Sequence, residues 1–100
     1  MTPSAGDIWI ADRGGEVRHE VVVLSDRRFH QLAERAIIAP VDPTPATERP
    51  PWYIDLADGR SAALHLVGSI PVARLLERVD WIGDDALRRA QRALRAMTGM

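Results

Sequence analysis

Apolar positions come in short bursts through the first two thirds of the chain and switch to helical spacing near its end. Asp7-Ile8-Trp9-Ile10-Ala11 reads as a strand closed by the turn signal Arg13-Gly14-Gly15. Val17 to Leu24 reads as a second strand, rich in β-branched residues. Ser25-Asp26 can cap a short helix through Phe29, Leu32 and Ala33, whose spacing is helical. Ala36-Ile37-Ile38-Ala39 is a third strand, expected to stop at Pro40. Residues 40–51 hold five of the seven prolines, which predicts a long loop. Trp52 to Leu56 resumes as a strand, and Asp58-Gly59 is a hairpin turn signal leading into Ser61 to Val67.

The period then changes. After Trp81-Ile82-Gly83, the pair Asp84-Asp85 is expected to cap a helix over 85–97 and to complement its positive end. Leu87, Ala90, Leu94 and Met97 line one face of that helix, and Arg88, Arg92 and Arg95 line another. Short strands with frequent turns, followed by one helix, predict a mainly β fold with α, a small barrel or sandwich. At 100 residues the chain is expected to be a single domain, 1–100. Trp9 and Trp81 are assigned to the core, His65 to a structural role and His30 to solvent.

Composition narrows the function more by exclusion than by assignment. A formal net charge of -1 predicts no general attraction to nucleic acid, although all 13 cationic residues are arginine. Arginine's planar fork suits phosphate and carboxylate, while genomic base composition explains an all-arginine chain equally well. The absence of cysteine excludes disulfides and thiolate metal sites. Three scattered histidines make no metal site. The first residues lack a signal pattern and no apolar run approaches the ~20 residues of a membrane span, so a cytoplasmic protein is expected.

The chemistry concentrates where the second strand begins. Glu16-Val17-Arg18-His19-Glu20 carries four titratable groups in five positions and leads straight into Val21-Val22-Val23-Leu24. Strand alternation puts Arg18, Glu20, Val22 and Leu24 on one face and Val17, His19, Val21 and Val23 on the other. By itself this reads as a charge cluster at a sheet end before it reads as a site.

The order of motifs goes further. Gly6-Asp7-Ile8-Trp9, a turn, a basic entrance into Val21-Val22-Val23-Leu24-Ser25, and Ile38-Ala39-Pro40-Val41-Asp42 follow one another. Ser69-Ile70 to Arg74-Leu75, Trp81-Ile82-Gly83 and a final helix complete the series. In order and spacing, over nearly the whole chain, this resembles the MazF/PemK-like toxins of toxin–antitoxin systems. The resemblance implies an SH3-like barrel with a C-terminal helix, working as a homodimer without a cofactor. It also implies metal-independent cleavage of single-stranded RNA, by attack of a ribose 2′-hydroxyl on the adjacent phosphate, and restraint by a cognate antitoxin with an acidic C-terminal segment. Two other readings stand beside it: a CcdB-like toxin that poisons gyrase by protein binding, and a non-toxic interaction module of SH3-like form.

Carried over by position, the family's catalytic Arg falls on His19 in an ungapped alignment and on Arg18 with one extra residue. The family's Thr after the third strand falls on Asp42. The resemblance thus implies a catalytic set of Arg18, His19 and Asp42, in which His19 and Asp42 exchange protons and Arg18 holds phosphate charge. Asp42 can instead begin an Asx-turn before Pro43. Candidate substrate contacts are Arg13, Glu20, Thr44, Thr47, Arg49 and Trp52, the last as a stacking platform or as a core or interface residue. Gly14-Gly15 stands where the family has a longer loop over its RNA groove. The arginines of the final helix suit RNA, an acidic antitoxin segment or plain solvation.

Overall fold

The computed structural model describes residues 2–12, 18–43 and 50–99. In chain order these form β1 (Asp7–Asp12), β2 (Arg18–Val23), α1 (Arg27–Ala33), β3 (Arg35–Asp42), β4 (Tyr53–Asp55), β5 (Ser61–Ala63), β6 (Gly68–Pro71), β7 (Leu75–Trp81) and α2 (Asp84–Thr98). All strand pairs are antiparallel. The sheet order is β4-β5-β3-β2-β1-β7, with β6 also against β3. This is the expected mainly β, barrel-like fold with a C-terminal helix. No helix among the described residues is long and apolar enough to cross a membrane.

The unbroken run Val21-Val22-Val23 is fully buried because both faces of the sheet are covered. On one face Ile8, Val22, Ala39, Ile54, Ala62 and Leu64 pack against Ala86 and Ala90 of α2. On the other, Trp9, Ala11, Val21, Val23, Ala36, Ile38 and Leu75 close on one another as the sheet curls. A strand with two buried faces needs no polar alternation, and the polar residues of β2, Arg18-His19-Glu20, all precede this span. Buried Asp7 is satisfied where it stands: its carboxylate accepts from the Ser4 amide (2.9 Å), Trp9 Nε1 (3.3 Å) and Arg78 Nε (3.0 Å), tying the N-terminal segment to β1 and β7.

Several expectations are corrected. The third strand does not stop at Pro40 but runs through it to Asp42. Pro40 sits between the β6 pairing, which ends at Ile38, and the β5 pairing, which begins at Val41, so neither of those ladders needs its missing N–H. The strand expected over Ser61 to Val67 ends at Ala63, and Leu64–Leu66 form a 3₁₀ turn that carries His65. β6 and β7 were not predicted at all: two short turn-bounded segments lack a clean apolar alternation, and β7 is an exposed edge strand.

Asp26 caps α1 as expected, accepting from the Phe29 amide. Asp84 and Asp85 lie in the first turn of α2, but the cap position is Gly83 at φ 91°, ψ 158°, a conformation that side chains resist. His30, assigned to solvent, is buried: its Nδ1–H donates to the Pro3 carbonyl (2.9 Å) and its Nε2 accepts from Ser25 Oγ (2.6 Å). Trp81, assigned to the core, is 46% exposed on the edge strand. Its indole covers Gly6, where φ is +91° and an added Cβ would meet Trp81 Nε1 at 2.8 Å. Gly6→Ala is therefore expected to cost about 1–3 kcal/mol, from backbone strain plus displacement of Trp81, read by chemical denaturation. An unchanged midpoint would contradict this packing.

Candidate functional site

The open end of the sheet is where β1 finishes, β2 begins and β3 leaves. Asp12 lies opposite Arg18 and Ala11 opposite His19 across the β1–β2 pair. Across β2–β3, Val23 faces Ile38, Val22 faces Ala39 and Val21 faces Pro40. The β2–β3 pairing ends there; continued by one side-chain repeat, the same register would set His19 opposite Asp42, on the same face, at the roughly 5 Å Cβ separation of directly opposed residues. β5 extends the row, with Asp42 opposite Ser61, and β4 extends it again, with Ser61 opposite Asp55.

The side chains along this row differ in access. His19 is exposed, Asp42 is half-buried and Asp55 is exposed. Asp42 has an interaction partner of its own. Ser61 is fully buried and its Oγ has no hydrogen-bond partner among the described residues. Such groups are few in native proteins and each calls for a cause.

The other face carries Arg18 and Glu20. Arg18 is exposed at the first residue of β2, and neither it nor His19 makes a side-chain hydrogen bond or ion pair among the described residues. Glu20 is engaged: its Oε1 takes a close ion pair from Arg60 Nη1, and Arg60 Nη2 lies 3.7 Å from Asp80 Oδ2 on β7. With its side chain only 19% exposed, Arg60 clamps β2 and β7 from the turn before β5. Glu20 points to the face opposite His19 and is taken up by Arg60.

Trp52 belongs elsewhere. It sits at the end of β4 away from Asp55, three residues and about 10 Å along the strand from the Asp42 row. Its ring meets His65 edge-on at 6.1 Å, and Tyr53 meets the same imidazole at 5.2 Å. With Pro51 it lines a small apolar recess of about 220 Å³ against Ala93, Ala96 and Met97 of α2. Arg13, Thr44, Thr47 and Arg49 lie outside the described residues. Among the described residues no three His, Asp or Glu side chains are grouped to hold a metal ion.

Sequence reasoning missed Arg60 and Ser61. The available signal was Arg60-Ser61-Ala62-Ala63 after an Asp-Gly turn: two polar residues opening a strand otherwise made of alanines, with no bulk of its own.

The rim thus presents an exposed imidazole and guanidinium at the start of β2 and a half-buried carboxylate at the end of β3. An imidazole beside a carboxylate can take and return a proton, and a guanidinium can fork onto a phosphate. Comparison with known proteins identifies the family and the fold. A family model described as PemK-like, MazF-like toxin of type II toxin–antitoxin system matches residues 4–98. No curated protein matches the sequence. A MazE–MazF structure from Deinococcus radiodurans superposes with a TM-score of 0.85 at 21% identity, covering 100% of this chain and 98% of that one. An endoribonuclease in complex with its cognate antitoxin from a Mycobacterial species gives 0.82 at 10% identity, covering 99% and 95%. Mycobacterium tuberculosis toxin MazF-mt6 gives 0.74 at 14% identity, covering 94% and 97%. At these identities the structural likeness is one of fold.

Proposed function

The chain belongs to the PemK-like, MazF-like toxin family, and from that premise we propose that it is a metal-independent endoribonuclease that cuts single-stranded RNA. The observation that carries the reading is the exposed His19 and Arg18 at the start of β2, at the open sheet end where β3 leaves with Asp42. One of the pair removes the proton from a ribose 2′-hydroxyl, and the 2′-oxygen attacks the adjacent phosphorus. The P–O5′ bond breaks, and the other member of the pair protonates the departing oxygen. The products are a 2′,3′-cyclic phosphate and a 5′-hydroxyl. Arg18 neutralises the charge that grows on the phosphoryl oxygens. DNA lacks the nucleophile, so RNA selectivity follows from the chemistry itself.

Solved relatives include a toxin bound to its antitoxin and an endoribonuclease bound to its cognate antitoxin, which supports extending the reading to partners. The protein works in the cytoplasm as a homodimer, slows translation and growth by cutting transcripts, and is silenced by an antitoxin with an acidic C-terminal segment. The exposed apolar side chains Leu66, Val67, Leu76 and Val79 supply surface for such contacts.

The test is incubation of purified, antitoxin-free protein with RNA in EDTA, followed by mapping of the ends. Fragments with 5′-hydroxyl and cyclic phosphate termini are expected. Intact RNA would refute the ribonuclease reading and leave a toxin that acts by binding protein.

A further inference from the structure

The row that runs from Asp42 across β5 to Asp55 contains one residue for which neither the fold nor the mechanism above has a use. Ser61 is 0% exposed and its hydroxyl is without a partner among the described residues. Register sets it directly opposite Asp42 on β3 and Asp55 on β4. Alanine fills the next two places of β5, so a third alanine would complete the strand without an orphaned oxygen. An unsatisfied buried hydroxyl is destabilising, and chains discard such groups unless something else uses them.

Directly opposed residues hold their Cβ atoms about 5 Å apart, and a serine oxygen and a carboxylate oxygen can each span part of that gap. A rotation about one side-chain bond is enough to close the hydrogen bond. We propose that Ser61 is a positioning residue of this site: its hydroxyl turns to donate to the Asp42 carboxylate when RNA is bound and holds it aimed at the reacting ribose. The inference rests on the ribonuclease reading and on Asp42's part in it. It adds a residue that touches neither RNA nor solvent, and it accounts for the orphan as a donor held in reserve.

The sign of the stability effect separates this from an ordinary structural serine. Ser61→Ala removes an unsatisfied group, so the melting temperature is expected to hold or to rise by about 2–6 °C. At the same time kcat on a single-stranded RNA is expected to fall about tenfold with little change in KM, as for a lost hydrogen bond to a charged group that matters only during reaction. Ser61→Cys, which keeps the volume but donates weakly, is expected to behave the same way. In an Asp42→Ala background the Ser61→Ala change is expected to have no further effect on rate.

Three results overturn the proposal. A drop in melting temperature marks the hydroxyl as structural, unaltered kcat in a folded Ser61→Ala protein removes it from the mechanism, and a loss additive with Asp42→Ala separates it from that carboxylate. If the wild-type protein itself leaves RNA whole, the ribonuclease reading fails and the inference falls with it; if the wild type cuts and the Ser61 variant cuts equally well, only the inference fails.

Discussion

His19→Ala is expected to slow RNA cutting by ~10²–10⁴-fold, the range that one positioned proton-transfer group contributes. The side chain is exposed and makes no side-chain hydrogen bond among the described residues, so stability should move by no more than about 0.5 kcal/mol. A loss of activity without a loss of fold is therefore diagnostic. Asp42→Ala should slow the reaction by a comparable factor. Because the two act as one proton-transfer unit, the double variant is expected to be about as slow as the worse single one rather than slower by the product. The measurement is a single-turnover time course on a short RNA, with the melting temperature of each variant beside it. Undiminished cutting by the His19 variant would take one of the two proton-transfer groups away and remove this mechanism.

Arg18→Ala is expected to cost ~10²–10³-fold in kcat, as for the loss of one preorganised donor to developing charge. Arg18→Lys should recover little of it, because an ammonium cannot fork onto two phosphoryl oxygens. Arg18 starts from the face opposite His19, at the first residue of β2, where it is exposed. Its long side chain therefore has to pass around the strand end to meet the phosphate that His19 and Asp42 flank. If lysine restores most of the rate, the guanidinium acts as a point charge that draws RNA in; full activity in the alanine variant would exclude Arg18 from the site.

Much of the fold was legible in the residues. The bursts at Asp7–Ala11 and Val21–Leu24, the Asp26 cap and the closing helix all appear as read, because each is set by contacts within a few residues of itself. The order of motifs was enough to place the chain in its family. The errors are instructive for the same reason. Pro40 ends strands in general, yet here it falls where β3 exchanges one neighbour for another, a circumstance no local window contains. His30 lies on a helix that looks solvated until Pro3, 27 residues earlier, supplies a carbonyl for its ring. Trp81 is large and apolar, but among the described residues its strand has no neighbour on one side.

The sequence by itself thus determined most of the elements, their order, and the three side chains on which cleavage chemistry is proposed to rest. Only the tertiary structure decided which residues stand opposite one another. Alternation assigns a residue to one of two faces, but pairing is chosen among distant strands, and a slip of one residue would turn Asp42 away from Ser61. Register also drew in residues that no pattern had marked: Arg60, which joins Glu20 and Asp80 from 40 and 20 positions away, and Ser61, whose buried hydroxyl has meaning only once its neighbours across the sheet are known.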